Sequence, residues 1–188
     1  RQRQMCIRDR LWYMAHEIYD IGRCLKFSNI LVETGTSAGD GVVRALGAGY
    51  VEVRSVELSE RWYRYCVDKF AGDDRVRLYC GRSENMIAKM LEGLDRCVVV
   101  LDAHPAGPHT AGHDDLMANG SLSEFNQDVI LAKECREIVR VSGGRHFIII
   151  DDQSGVNGVL ADILGVYGYR FEFEHNKYMV CVPRGYDY

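Results

Sequence analysis

The segment from Glu33 to Gly41, which reads ETGTSAGDG, constrains the fold more than any other part of the chain. It directly follows the apolar residues 30–32 and directly precedes an amphipathic stretch at 42–46. This order predicts a buried strand, a glycine-rich turn and the start of a helix. The glycines let the backbone approach a ligand closely, and the N-terminus of a helix offers unpaired N–H groups.

The acidic residue at the end of this predicted strand, Glu33, narrows the class of ligand. A dinucleotide would place its anionic pyrophosphate at the turn, where a carboxylate would repel it. S-adenosylmethionine has no phosphate and carries a cationic ammonium and a cationic sulfonium, so the carboxylate suits that ligand. The turn also lacks the G-x-G-x-x-G pattern, which argues further against a dinucleotide-dependent oxidoreductase.

Length and composition are those of one globular domain. The chain has 188 residues, of which 47% are hydrophobic and 27% are charged, enough for a substantial core. No apolar run approaches the roughly 20 residues of a membrane-spanning helix, and no signal peptide is visible. The seven cysteines contain no CxxC pair. Such a scattered set is typical of reduced thiols and predicts a cytoplasmic protein.

Residues 1–9 resemble a translated cloning linker, so we expect a single domain over residues 10–188 whose own N-terminus is truncated. Without the three arginines and one aspartate of residues 1–9, the formal net charge moves from −4 to −6. The remaining chain is acidic and has no cluster of lysine or arginine. We therefore expect neither a nucleic acid nor a membrane as partner.

Strand and helix patterns alternate along the rest of the chain. Helices are predicted at 11–26, 40–48, 59–70, 83–94, 124–141 and 156–164. Strands are predicted at 29–34, 51–57, 75–80, 97–103, 146–151, 167–174 and 178–182. This order predicts an α/β fold with a doubly wound sheet and a C-terminal hairpin. Residues 104–123, rich in Gly, Pro and His, are predicted to form a long loop of a kind that is usually functional or disordered.

From residue 28 to residue 184 the chain resembles the class I S-adenosylmethionine-dependent methyltransferases. Four segments carry the resemblance: ETGTSAG after the first strand, SVEL at the end of the second, GRS at 81–83 and LDAH at 101–104. The resemblance implies a Rossmann-like, doubly wound, mostly parallel seven-stranded sheet with a C-terminal antiparallel hairpin. It also implies S-adenosyl-L-methionine as the cofactor.

In that family, Gly35 and Gly39 would lie against the cofactor, and the Glu57 carboxylate would hold the two ribose hydroxyls. Ser83 would lie at the adenine edge. The complete set predicted to bind the cofactor is Glu33, Gly35, Thr36, Ser37, Gly39, Glu57, Leu58, Ser83 and Asp102.

Two residues depart from the family pattern. Ser37 replaces the usual middle glycine of the turn, and Arg82 stands where many members have an acid near the adenine. Simpler roles stay open for other members of the set. The glycines could only form a tight turn, Glu57 could be a solvated carboxylate, and Ser83 could be only a helix cap.

Three carboxylates, those of Asp102, Asp151 and Asp152, follow the fourth and fifth strands that are predicted to be parallel. Ligands in doubly wound sheets bind beyond the carboxyl ends of the strands, where these groups would converge. Converging anions repel one another unless they are protonated, solvated or bridged by a cation, and oxygen ligands of this kind suit Mg²⁺. Alternatively, Asp152 caps the helix that begins near Val156, and Asp151 bonds loop amides.

This arrangement resembles the metal-dependent O-methyltransferases of the macrocin type, which act on hydroxyls of sugars in natural products. The resemblance implies that Asp102, Asp151 and Asp152 bind the metal and that His104 is the catalytic base. Histidine departs from the family pattern at this position, but its free pKa of ~6.5 suits proton removal near neutral pH. His104 could instead be a metal ligand or a loop residue.

Together these residues predict transfer of a methyl group from S-adenosylmethionine to a hydroxyl of a small-molecule acceptor, assisted by Mg²⁺. A homo-oligomer is left open. Two alternatives remain. One is a methyltransferase-fold module that binds the cofactor or a partner protein without catalysis. The other is a hydroxylase-type relative that shares the metal carboxylates, because a fold does not fix its chemistry.

Overall fold

The structure, a computed structural model, describes residues 19–103, 126–153 and 157–188. The predicted linker at 1–9, the first part of the predicted helix at 11–26, His104 and the predicted loop at 104–123 lie outside the described residues. No helix in the described part of the chain is long and apolar enough to cross a bilayer.

Strands and helices alternate within these ranges as the sequence predicts. The strands are β1 Ile30–Thr34, β2 Glu52–Glu57, β3 Val76–Cys80, β4 Val98–Leu101, β5 Phe147–Ile150, β6 Arg170–Glu174 and β7 Tyr178–Val182. The α-helices are α1 Asp40–Ala48, α2 Glu60–Lys69, α3 Ser83–Met90, α4 Gln127–Ser142 and α5 Gly158–Gly165. Ser59 caps α2 as expected, since its hydroxyl accepts a hydrogen bond from the amide of Trp62.

One predicted element differs. The C-terminal part of the predicted α-helix at 11–26 is a 3-10 helix, Ile21–Lys26, and it starts only after Asp20. The Asp20 carboxylate accepts a hydrogen bond from the amide of Gly22 at 3.0 Å, which satisfies the first turn locally. Apolar spacing alone does not distinguish these two kinds of helix.

The seven strands form one sheet in the order β3-β2-β1-β4-β5-β7-β6. Strands β1 to β5 pair in parallel, whereas β7 lies antiparallel between β5 and β6. The Rossmann-like, doubly wound, mostly parallel sheet with a C-terminal antiparallel hairpin is therefore confirmed. The apolar strands β4 and β5 lie at its centre, where both faces are covered.

Two layers cover the sheet. Buried side chains of α3, α4 and α5 pack on one face in a single cluster with Val32, Val99 and Ile148. On the opposite face, α1 and the 3-10 helix pack with Leu31 and Phe147. Each face removes the apolar side chains of alternate strand positions from water, which is the main stabilising contribution.

Main-chain hydrogen bonds continue one residue beyond the strands at their carboxyl ends. The amide of Gly35 donates to Val56 at 3.0 Å, and the amide of Asp102 donates to Thr34 at 3.2 Å. The amide of Asp151 donates to Leu101 at 3.0 Å. These bonds hold the ends of β1, β2, β4 and β5 at one edge of the sheet, which is where such folds bind ligands.

Gly35 makes the closest backbone approach at this edge. Its φ is +89°, and a Cβ placed on it would lie only 2.5 Å from the carbonyl oxygen of Asp102. An alanine would therefore meet both a conformational penalty and a clash with backbone, which has little freedom to move.

We expect Gly35→Ala to destabilise the fold by about 2 kcal/mol or more, because the left-handed backbone and the clash with Asp102 add together. Urea unfolding followed by circular dichroism measures this loss. Gly47→Ala is the matched control, because Gly47 lies in α1 with open space around its Cβ position. We expect Gly47→Ala to be neutral or to stabilise by roughly 0.5–1 kcal/mol. Equal effects of the two changes would contradict the tight approach.

Candidate functional site

The turn between β1 and α1 is built from three successive left-handed or bent positions. Gly35, Ser37 and Gly39 all have positive φ, with 50° at Ser37. The amide of Gly39 donates to the carbonyl of Thr36 at 2.8 Å, and α1 begins directly afterwards. A left-handed conformation is uncommon for a residue with a side chain, which gives the physical reason why glycine is usual at position 37.

Glu57 joins this turn to the next one. It lies at the carboxyl end of β2 and is 8% exposed. Its Oε2 accepts a hydrogen bond from the amide of Ser37 at 2.7 Å, and its Oε1 accepts from the amide of Ser59 at 2.8 Å. Burial raises the pKa of Glu57, while backbone hydrogen bonds from Ser59, Ser37 and Leu58 oppose that rise. Glu57 is therefore a fixed part of the site and not a solvated carboxylate.

Glu33 does not lie at the open surface of this edge. It is 5% exposed, and its Oε2 accepts a hydrogen bond from the Ser55 hydroxyl at 2.8 Å. Its Oε1 occupies the space of a side chain at position 41, since a Cβ on Gly41 would lie 1.7 Å away. Burial raises the pKa of Glu33 to about 7, although the bond from Ser55 opposes the shift. The Thr36 hydroxyl lies 2.7 Å from that of Ser55 and completes a buried polar chain.

This placement corrects the expected role of Glu33. The sequence analysis assigned its charge to the ligand, whereas the structure places the carboxylate beneath the first turn of α1. An anion is favourable there because the N-terminus of a helix carries partial positive charge. Gly41, to which no role was assigned, provides the space for it.

Ser83 begins α3, and the capping position belongs to Arg82, whose side chain makes no capping bond. The Nε of Arg82 instead forms an ion pair with Oε1 of Glu84 at 2.9 Å. Ser83 is buried, and its hydroxyl faces the carboxylate of Glu134 on α4. The simpler role of Ser83 as a helix cap is therefore not what the structure shows.

Glu134 is a residue that sequence reasoning missed. It is completely buried, and neither carboxylate oxygen has a hydrogen-bond partner of normal geometry among the described residues. Burial raises its pKa to about 7, although the nearby hydroxyls of Ser83 and Thr34 oppose the shift, and the charge of Glu84 raises it further. An acidic residue inside the otherwise apolar helical stripe Ile130, Leu131, Cys135 and Ile138 was the available signal.

The predicted metal ligands have a different partner in the structure. The Nζ atom of Lys177 lies 3.1 Å from Oδ1 of Asp151 and 3.6 Å from Oδ1 of Asp152. Within residues 19–103, 126–153 and 157–188, no group of three His, Cys, Asp or Glu side chains is arranged to hold a metal ion. The expected convergence of Asp102, Asp151 and Asp152 on one ion is therefore wrong for this part of the chain, because a lysine ammonium lies between two of the carboxylates.

Other contacts settle the alternative for Asp151 and Asp152. Asn157 caps α5, since its Oδ1 accepts hydrogen bonds from the amides of Val159 and Leu160 at 3.2 and 3.4 Å. Asp152 is thus not the cap of this helix, and its own backbone is left-handed with φ of 55°. Asp151 does bond a loop amide, because its Oδ1 accepts from the amide of Asp152 at 2.7 Å.

Burial alone would lower the pKa of Lys177, but the charge of Asp151 and its hydrogen bond outweigh that effect and raise the pKa above its ordinary value. The ammonium therefore stays charged at neutral pH. The β5 edge of the site thus contains its own cation.

Comparison with models of protein families finds no match, and comparison with curated proteins finds no relative. Solved structures do match. A TehB-like S-adenosylmethionine-dependent methyltransferase from Corynebacterium glutamicum superposes with a TM-score of 0.51 at 13% identity, over 93% of each chain. A Staphylococcus aureus protein provisionally assigned as a caffeoyl-CoA O-methyltransferase gives a TM-score of 0.54 at 13% identity, over 94% of this chain and 90% of that one.

Fibrillarin from Aeropyrum pernix, solved with natively bound S-adenosyl-L-methionine, gives a TM-score of 0.51 at 13% identity. The match covers 81% of this chain and 65% of fibrillarin. The chain has the class I methyltransferase fold. Identities this low establish the shared fold, and the resemblance found in the sequence is confirmed at that level.

The buried carboxyl of Glu134 predicts a specific dependence of stability on pH. Its pKa is about 7 in the folded protein, above the ordinary value of 4.5, so folding favours the neutral form. The stability that the neutral form contributes is complete below pH 4.5 and is lost as the pH rises through about 7. Glu134→Gln removes this loss. We expect the stability of the variant relative to the natural protein to increase by about 2 kcal/mol between pH 5 and pH 8.

Urea unfolding at the two pH values measures this difference, and the similar pKa of Glu33 cancels because both proteins contain it. Glu137→Gln is the control on the same helix, since Glu137 pairs with Arg140 at 2.7 Å and its pKa is lowered. A pH-independent difference for Glu134→Gln would show that Glu134 is ionised and partnered in the folded protein.

Proposed function

We propose that the chain binds S-adenosylmethionine at the carboxyl ends of β1, β2 and β4 and transfers its methyl group to a hydroxyl of a small molecule. The single observation that carries the proposal is Glu57. A buried carboxylate ends β2 and is fixed beside a left-handed turn, in a fold shared with methyltransferases that include one solved with this cofactor.

The hydrogen-bonding capacity of Glu57 supports a role in holding ribose. An ionised carboxylate offers about four acceptor positions on its two oxygens. The amides of Ser37 and Ser59 each use one position on a different oxygen. Each oxygen therefore retains capacity to accept a hydroxyl of a vicinal diol, with the carboxylate already held in place.

The position of Glu33 supports the choice of a cofactor without phosphate. Diphosphates bind folds of this type at the N-terminus of the first helix, through the free amides and the partial positive charge there. In this chain the Glu33 carboxylate occupies the space beneath that turn. A second anion would be repelled, which disfavours a dinucleotide-dependent oxidoreductase.

Further residues of the site keep the roles assigned from the sequence as proposals. Gly35 and Gly39 would lie against the cofactor with Thr36, Ser37 and Leu58, and Ser83 would lie at the adenine edge. Asp102, which follows β4 directly, would lie beside the cofactor.

S-adenosylmethionine supplies an electrophilic methyl carbon whose leaving group is a neutral thioether that needs no protonation. The work left to the protein is to align the acceptor oxygen with that carbon and to remove the hydroxyl proton. We propose His104 as the base, on the imidazole chemistry alone, since it lies outside the described residues. Magnesium assistance is not part of the proposal, because Lys177 pairs with the carboxylates that would bind the ion.

Glu57→Gln tests the cofactor assignment. The change keeps the size of the side chain but removes the charge and replaces one acceptor oxygen by a donor. Because hydrogen bonds to charged groups contribute roughly 1.5–3 kcal/mol, we expect the affinity for S-adenosylhomocysteine to fall about ten- to a hundredfold. Isothermal titration calorimetry measures it.

Glu52→Gln is the control on the same strand. Glu52 lies at the opposite end of β2, where it pairs with Arg54 at 2.7 Å, so its loss would leave cofactor affinity unchanged. No binding of S-adenosylhomocysteine to the natural protein, or saturable binding of NAD in its place, would refute the proposed function.

A further inference from the structure

The turn between β6 and β7 fixes the position of Lys177 at the ligand-binding edge of the sheet. His175 and Asn176 both have positive φ, at 55° and 51°, and the amide of Lys177 donates to Glu174 at 3.1 Å. This is the geometry of a two-residue hairpin turn, which sets the register of the two strands. Lys177 is consequently the residue that immediately precedes β7.

Pairing between β7 and β5 brings Lys177 to the carboxyl end of β5. Ile150 lies opposite Met179 in the antiparallel register, and the amide of Gln153 donates to the carbonyl of Lys177 at 2.7 Å. Backbone hydrogen bonds therefore flank Lys177 on both sides. The position of its Cα is determined by the sheet and not by a loose loop.

The side chain completes this arrangement through two carboxylates. The Nζ atom lies 3.1 and 3.3 Å from the two oxygens of Asp151 and 3.6 Å from Oδ1 of Asp152. The Asp151 side chain is 12% exposed and that of Lys177 is 31% exposed. An ion pair with one nearly buried member is screened far less than a pair on the surface.

We propose that Lys177 takes the place of a divalent metal ion at this edge, so that Asp151 and Asp152 position an ammonium group beside the acceptor. A divalent cation would need the oxygens that the ammonium already contacts, and the two positive groups would repel each other at such distances. An ammonium has three N–H donors, and the two carboxylates require two of them. The third can stabilise the negative charge that develops on an acceptor oxygen.

The last step, contact with an acceptor, rests on the proposed function. The replacement of a metal ion by Lys177 does not, because it concerns only the described groups Asp151, Asp152 and Lys177. Binding of a metal ion to the protein alone can therefore test it without cofactor or acceptor.

Mn²⁺ is the probe, since its binding to metal-free protein is measured directly by electron paramagnetic resonance. We expect the natural protein to show no saturable Mn²⁺ site. Lys177→Ala leaves the two carboxylates without their cation, so we expect it to bind Mn²⁺ at least about tenfold more tightly than the natural protein does. Asp151→Asn added to this variant should abolish the new site.

Arg75→Ala is a matched control, because Arg75 pairs with Asp73 at 2.7 Å, next to Asp74, and its removal also leaves two adjacent aspartates uncovered. That pair lies at the amino end of β3, away from the site, and we expect no Mn²⁺ binding there. Lys177→Arg keeps the positive charge and should behave like the natural protein. Lys177→Gln, which retains hydrogen bonding, replaces Lys177→Ala if that variant does not fold.

A stoichiometric Mn²⁺ site in the natural protein that Asp151→Asn removes would overturn the inference. So would Mn²⁺ binding by Lys177→Ala that is no tighter than binding by Arg75→Ala. Titration of the natural protein with S-adenosylhomocysteine is run in parallel. Absence of that binding, together with the expected Mn²⁺ results, would refute the proposed function and leave the metal-replacing role of Lys177 intact.

Discussion

The hydrogen bonds that continue the strand pairing past the ends of β1, β4 and β5 are the constraint on which the site depends. They bring Gly35 against the backbone of Asp102 and place Asp151 next to Leu101. Parallel strands direct all of their carboxyl ends to one edge, so residues more than a hundred positions apart become neighbours. Without this register, the glycine turn would still form locally but would have no second wall.

The site edge collects acidic side chains, and the fold accommodates each of them by a different interaction. Glu33 lies at the N-terminus of a helix, Glu57 accepts hydrogen bonds from two backbone amides, and Asp151 pairs with Lys177. Glu134 has none of these compensations among the described residues. A buried carboxyl of this kind is stable only in its neutral form near pH 7, which makes it the most pH-sensitive group of the core.

Local sequence patterns predicted the elements of the fold well, because their signals are short-range. Alternation of apolar runs with amphipathic stretches located the seven strands and the helices that the structure describes, to within a few residues. The segment at Ile21–Lys26 was the exception, since a local Asp20 hydrogen bond selects a 3-10 helix that apolar spacing cannot distinguish. Glycines with positive φ at 35 and 39 were likewise expected from the turn itself.

The sequence by itself determined the α/β order, the glycine turn and the presence of carboxylates at the strand ends. Tertiary structure alone decided what each carboxylate contacts, because those partners are distant in the chain: Glu33 reaches Ser55, Ser83 faces Glu134, and Asp151 meets Lys177. Charge pairing acts through space and leaves no periodic trace in a sequence. Adjacent aspartates after a strand therefore predicted a cation correctly in charge, whereas only the hairpin register showed that this cation is a lysine.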